Sequence, residues 1–194
     1  MTLLCRPLTA SQIMPSEREL ARRLRAPRSE DAPGVGEMVS RLSGIASAAA
    51  VICHGPADAP LLSLLGEAGE EYKHFSHIGV FAVTLGHAVD REIAACARRG
   101  AAEAFVCDAV ASAMAEAAAD AADNQLRLLT PHVRWQRRRS PGYGKLSLSL
   151  QPTLLRLCCA GQYLGIALTE TNLMIPAKSI TAILGGNDEA RTSD

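Results

Sequence analysis

The segment from Ala101 to Arg127 constrains the fold more than any other part of this sequence. It is long and alanine-dominated, and Phe105, Val106, Val110, Met114 and Ala117 or Ala118 recur at helical spacing. Alanine is the strongest helix former, so the segment is predicted to be a central helix. Hydrophobic residues make up 48% of the chain but aromatic residues only 4%. The core around that helix must therefore be built from Ala, Leu, Val and Ile, with elements packed closely and small residues at their contacts. A chain of 194 residues normally buries most of its apolar surface in one core, and a single domain is expected.

Helix signals flank this segment on its N-terminal side. Val89 to Arg99 starts with acids, ends in Arg98-Arg99 and stops at Gly100, the charge order that a helix dipole favours. Pro15 to Arg25 has the same polarity and is read as the first helix; Ala26 to Gly36, with two prolines and two glycines, is a loop, and Glu37 to Ser47 is read as a second helix. Pro152 to Cys158 is read as a short helix, and the type of Leu61 to Leu65 stays open. Ala48 to Cys53, Ile78 to Leu85, Tyr163 to Leu168 and Ser179 to Leu184 are read as strands, with Leu129 to Arg138 extended. Together these predict an α+β fold: an antiparallel or mixed sheet packed against a long central helix and shorter helices. Residues 1–36 are assigned to an N-terminal helix and linker, 37–186 to the α+β domain and 187–194 to a polar tail expected to be disordered.

Twenty basic and twenty acidic residues cancel, which argues against a nucleic acid or an anionic membrane as the main partner. Met1 to Ala10 contains neither a signal-like nor a membrane-spanning stretch, so a cytoplasmic location is expected. The six cysteines, at 5, 53, 96, 107, 158 and 159, form no CxxC pair and no disulfide framework. Reduced, mostly buried thiols are expected. Redox chemistry at Cys158-Cys159 competes with a structural reading, which is favoured because helical neighbours diverge by about 100° and buried free cysteine behaves as a small hydrophobe.

Chemistry could reside in two segments. Arg134 to Gly144 (RWQRRRSPGYG) leads a basic run into two glycines around a tyrosine. Such a loop exposes main-chain polar groups beside an aromatic face and suits a polar small molecule; a solvated strand exit is the plainer reading of the same residues. RNA binding by these arginines and Trp135 is a third reading, disfavoured by overall neutrality and the lack of an RNA-module signature. Leu168 to Ser179 (LTETNLMIPAKS) is polar at its start and lies between apparent strands, where its side chains need either backbone or ligand partners. His74 and His77 are three apart, but no third ligand and no HExxH accompany them, and His54 beside Cys53 adds no metal spacing. No metal is assigned. The sequence also contains no P-loop, no GxGxxG and no nucleophile elbow for a serine triad.

Thr84-Leu85-Gly86, Val89-Asp90, the helix from Asp108, Arg138-Arg139-Ser140-Pro141-Gly142-Tyr143-Gly144, Leu168-Thr169-Glu170, Pro176 and Lys178-Ser179 occur in this order. This series resembles the activation domain of vitamin B12-dependent methionine synthase, in its short, free-standing bacterial form. The likeness covers about residues 78 to 186, and Arg-x-x-Pro-Gly-Tyr is its most specific element. The resemblance implies an α+β domain that binds S-adenosylmethionine and sits over the corrinoid once the cofactor has been oxidised to inactive cob(II)alamin. An electron donor, a flavoprotein or a ferredoxin, then acts with the sulfonium methyl to regenerate methylcobalamin. It also implies a place in the methionine synthase methyltransferase system and in methionine biosynthesis.

Carried onto this chain, the resemblance places Arg138, Pro141, Gly142 and Tyr143, flanked by Ser140 and Gly144, on the S-adenosylmethionine loop, and Glu170 on the family's Thr-Glu-Ser turn. Ser112 falls where the fused domains carry an acid, with Asp108 and Glu116 one turn either side. The fused domains also continue past the last strand, whereas this sequence ends soon after Gly185-Gly186. No DxHxxG corrinoid motif occurs, so cobalamin is expected on a partner, a corrinoid-binding methionine synthase or related methyltransferase. The rival expectation is a non-enzymatic adaptor that docks on a corrinoid protein without binding S-adenosylmethionine.

Overall fold

A computed structural model describes residues 1–29 and 32–189. Among these, five strands form one antiparallel sheet in the order β1-β2-β3-β7-β4, with β1 at Thr2–Pro7, β2 at Ala49–Pro56, β3 at His77–Thr84, β4 at Val133–Trp135 and β7 at Ser179–Asp188. A separate two-stranded ribbon pairs β5 (Ala167–Leu168) with β6 (Met174–Ile175). The expected α+β class is the observed one.

Side chains alternate across a strand, and the sheet is apolar on both faces. Ala50, Ile52, Phe81, Val83, Ala182 and Leu184 point to one core, which α6 (Ala101–Leu129) covers; Val51, Cys53, Ile78, Val80, Ala82 and Ile183 point to the other. The buried side of α6 is largely alanine, with Ala111, Ala118, Ala119 and Ala122 fully shielded. Without a γ-carbon these residues let the helix axis approach the sheet. Two sheet glycines take the larger side chains at the end of this contact: a Cβ on Gly79 would lie 2.5 Å from Leu126, and one on Gly186 would lie 2.7 Å from Trp135. The Trp135 indole is fixed by donating to Thr130 Oγ1 (2.8 Å), whose hydroxyl in turn donates to the Leu126 carbonyl at the helix end (2.8 Å).

The remaining helices pack around this frame. α1 (Glu17–Leu24) is capped by Ser16, whose Oγ accepts from the Glu19 amide, and carries acids in its first turn and Arg22 and Arg23 in its last. α2 (Val35–Ile45) and α5 (His87–Arg99) join α6 on the first face. α3 (Ala59–Leu64), α4 (Glu67–Tyr72), α7 (Gln151–Leu157) and α8 (Ala160–Leu164) cover the second. All six cysteines are free, four of them buried. Burial raises the Cys107 thiol to about 12, and it pushes Cys158 up as well, so neither is a thiolate near neutrality.

Four details differ from the sequence reading. Thr2–Pro7 is a strand, paired with β2 throughout; Thr2 is its only β-branched residue, so its strand state is set by the pairing rather than by local propensity. Tyr163 to Leu168, read as one strand, is split by Gly165, which adopts a left-handed conformation (φ 65°): α8 ends there and only Ala167–Leu168 is extended. Leu129 belongs to α6, and the extended stretch after it is confined to β4 and the Arg139–Ile183 bridge. Asn187 and Asp188, assigned to the tail, continue β7 opposite Arg134 and Val133, and residues 190–194 lie outside those described.

Candidate functional site

β4 is only three residues long, so it covers the outer edge of β7 at Gly186–Asp188 and leaves the Ser179 end without a strand neighbour. The single Arg139–Ile183 bridge separates the two halves, with Ile183 N–H donating to Arg139 O (2.9 Å) and Arg139 N–H to Ile183 O (3.0 Å). Peptide groups alternate between the two edges of a strand, so those of Thr181 point to the same outer edge as those of Ile183. A cavity of about 640 Å³ opens there. Its walls are the turn Ser140–Tyr143, Leu148 and Gln151, the ribbon residues Asn172 to Met174, the β7 residues Ser179 to Thr181, and Glu116 from α6.

The turn is built by its glycines. Gly142 (φ 85°) and Gly144 (φ 60°) take left-handed conformations that a side chain would strain. Gly142 N–H donates to Leu146 O (2.8 Å) and Leu146 N–H to Tyr143 O (3.2 Å), closing a compact loop that leaves the Tyr143 ring 76% exposed. Pro141 is buried beneath it. The opposite wall is the tight turn between β5 and β6, where Asn172 N–H donates to Thr169 O (3.0 Å), Thr169 N–H to Leu173 O (2.9 Å) and Leu173 N–H to Thr169 Oγ1 (3.0 Å).

Two polar atoms on the cavity wall have no protein partner although they are buried: Gln151 Nε2 and Thr181 Oγ1. Their residues are only 2% and 1% exposed. Buried polar atoms are normally satisfied, and leaving one unpaired costs about 1–3 kcal/mol. The neighbouring Ser179 hydroxyl, by contrast, donates to Pro176 O (2.7 Å) and lies 2.8 Å from Thr84 Oγ1. This wall is thus prepared for a polar guest, while Leu148, Leu173 and Met174 supply apolar surface.

A second, more polar hollow of about 540 Å³ lies on the other side of the turn, lined by Glu116, Asp120, Asp123, Arg137 to Ser140, Tyr143 and Gly144. Arg138 dominates it. Its guanidinium pairs with Glu116 Oε2 (3.0 Å) and with Asp120, and Glu116 also pairs with Arg23 (3.3 Å). Burial works against the charge on Arg138, but Asp120 and Glu116 outweigh it and raise its pKa. A larger groove of about 1010 Å³ between α1 and α6 is walled by several of the same charged side chains, with Arg22 paired to Glu19 and Arg138 to Glu116 and Asp120.

Of the residues singled out in the sequence, Ser140, Pro141, Gly142 and Tyr143 line the cavity, and Arg138 and Gly144 line the adjoining hollow. Glu170 lines neither and is exposed at the tip of the ribbon; its neighbours Asn172 and Leu173 face the cavity instead. Ser112 is also elsewhere. It accepts from Lys178 Nζ (2.8 Å), which donates as well to Asp108 Oδ1 (2.7 Å). Glu116, one turn further along α6, is the acid that the helix brings to the cavity. Sequence reasoning did not single out Gln151 or Thr181, because a glutamine before a proline and a threonine in a strand carry no motif.

The fold and the cleft define an α+β domain with a cavity between one open strand edge and a glycine-tyrosine turn. The sequence model of the vitamin B12 dependent methionine synthase activation domain matches residues 68–193, and the chain belongs to that family. Its structure is similar to the crystal structure of the MetH reactivation domain bound to AdoHcy, with a TM-score of 0.74 at 15% identity, covering 100% of this chain and 81% of that one. No curated protein matches the sequence. Among the described residues no helix is long and apolar enough to cross a membrane.

Proposed function

We propose that this domain binds S-adenosylmethionine in the cavity between the Tyr143 turn and β7, and presents its methyl group for reductive reactivation of a cobalamin-dependent methionine synthase. The observation that carries this reading is the buried, unpartnered pair Gln151 Nε2 and Thr181 Oγ1 in a cavity of ligand size. The donor set fits an adenosylated amino acid. The amide and hydroxyl, with the outward peptide groups of Thr181, can address the ring and ribose, and the Glu116 carboxylate can face the ammonium end. The solved neighbour's bound AdoHcy belongs to the same ligand class. The exposed Tyr143 ring gives modest stacking at the mouth.

Cobalamin, carried by a corrinoid-binding methionine synthase or related methyltransferase, supplies the metal centre that accepts the methyl group, with an electron from a flavoprotein or ferredoxin donor. This chain's own task is orientation. Holding the sulfonium methyl in line with its acceptor removes an entropic barrier of up to roughly 7–11 kcal/mol at ideal geometry. The sulfonium charge disappears on transfer, so a tight grip on it would favour the ground state. In keeping with this, the acid at the cavity is partly neutralised by Arg138 and Arg23. Arg138 is committed to Glu116 and Asp120, so it acts as a positioning residue for Glu116 and the turn.

Calorimetric titration tests the reading. S-adenosylmethionine should bind one to one, and Gln151→Leu and Thr181→Val should each weaken it roughly five- to a hundredfold, the loss of a buried hydrogen bond. Arg138→Ala should weaken it too, by letting Glu116 and the turn leave the positions that the guanidinium holds. Absence of heat up to millimolar ligand overturns the proposal; retained binding of a corrinoid protein would then select the adaptor role.

A further inference from the structure

At the other end of β7, roughly 23 Å from Thr181 at about 3.3 Å per residue, three strands bring together side chains far apart in sequence. His77 opens β3, Asp188 closes β7, and His132 precedes β4. One ligand-type atom from each lies within 4.8 Å of the other two, and His77 Nε2 is 2.8 Å from Asp188 Oδ1. We infer that His77, His132 and Asp188 form a site for a divalent first-row transition metal ion, zinc being the ion that suits it best, independent of the proposed cavity.

Two imidazoles and one carboxylate are a familiar donor set for such ions, and three protein ligands leave at least one position for water. Bonds of about 2.0–2.2 Å set donor atoms around a tetrahedral ion roughly 3.3–3.5 Å apart. The cluster already approaches that spacing, and small rotations of the exposed His132 and Asp188 side chains close the remainder. The backbone beneath is fixed: Glu189 N–H donates to His132 O (2.9 Å), Val133 N–H to Thr130 O (3.0 Å) and Asp188 N–H to Ser76 Oγ (3.3 Å). His54 is opposite Gly79 in the sheet register, on the same face as His77, and adds a further imidazole nearby. His74, the partner suggested by sequence spacing, stacks on Phe75 in the preceding turn instead (ring centroids 4.1 Å).

The ion would bind β4, which has only three ladder positions, to β3 and β7. The experiment uses the full chain without a histidine tag, titrated with Zn²⁺ by calorimetry and with Co²⁺ by visible absorption. One equivalent should bind, with a cobalt spectrum lacking thiolate charge-transfer bands, and Zn²⁺ should raise Tm. Asp188→Asn, a conservative change at an exposed position, should weaken Zn²⁺ roughly tenfold or more and abolish the Tm rise, as should His132→Gln. His74→Gln should change neither. No binding up to millimolar Zn²⁺, affinity unaltered in both Asp188→Asn and His132→Gln, or a thiolate-type cobalt spectrum would overturn the inference. S-adenosylmethionine titrations on the same variants separate its failure from that of the cavity reading, since Asp188→Asn should leave them unchanged.

Discussion

On one face of the sheet α6 lays a continuous alanine seam against Phe81, Val83 and Ala182, and the polar atoms at its end, Trp135 Nε1 and Thr130 Oγ1, are paired. On the other face α7, α8 and the Tyr143 turn stop short of the β7 edge, and Gln151 and Thr181 keep polar atoms that no protein group meets. The first arrangement packs small side chains closely and pairs the polar atoms at the end of the seam. The second leaves a cavity in a position where one more short strand or a larger side chain would close it. Continuous packing and an open cavity thus meet at one sheet, with Glu116 of α6 reaching the cavity from the packed side.

Mutations should separate the two sides. Leu126→Ala, on the closed side, should cost roughly 2–5 kcal/mol in denaturant unfolding, because its neighbours Trp135 and Gly79 cannot collapse into the void. Gly185→Ala should cost about 1–3 kcal/mol, since the new Cβ would meet the Phe75 ring at 2.1 Å and the ring must move. Thr181→Val should leave stability unchanged or raise it by up to roughly 1–3 kcal/mol, because it removes an unpaired hydroxyl at nearly constant shape. A loss above about 2 kcal/mol there would break the comparison by showing that the hydroxyl is used in folding. The smallest effect should come from the exposed network of Arg41, Glu92, Arg99 and Glu103. Hydrogen bonding to Arg99, then to Arg41, lowers the Glu103 carboxyl from 4.5 to about 2. A depressed carboxylate contributes stability that is complete above pH 4.5 and is lost as the pH falls toward 2. Glu103→Gln should therefore flatten the acid limb of the stability curve between those values by lowering the plateau above pH 4.5 by a small, salt-screened amount, and should leave stability near pH 2 nearly unaltered.

Much of the closed side was legible in the sequence and little of the open side was. The α6 pattern, the Gly100 stop before it and the β-branched run of β3 report local propensity and burial together, so they read correctly. β1 has no such run, and its strand state comes from pairing with β2. The short α8 was hidden because Tyr163-Leu164 and Ile166 are equally apolar on either side of Gly165. At the site, the glycine-tyrosine turn announces itself through residues chosen for backbone freedom. Glu116, one turn from the expected position Ser112, lines the cavity, while Ser112 and Asp108 are paired with Lys178. Gln151, Thr181 and the His77–Asp188 pair owe their placement to tertiary proximity alone, which no spacing in the chain encodes.

An alanine seam has a mechanical consequence for the pocket. Alanine has no χ rotamer to lose on folding and none to change afterwards, so the backbone from which Glu116 reaches the cavity is held in place by close packing, and only the Glu116 side chain itself can move there. Any further accommodation of an incoming guest then falls to the loop opposite, whose left-handed glycines supply soft torsions. The pocket is in effect a vice with one fixed jaw, and its fit is tuned from the other side.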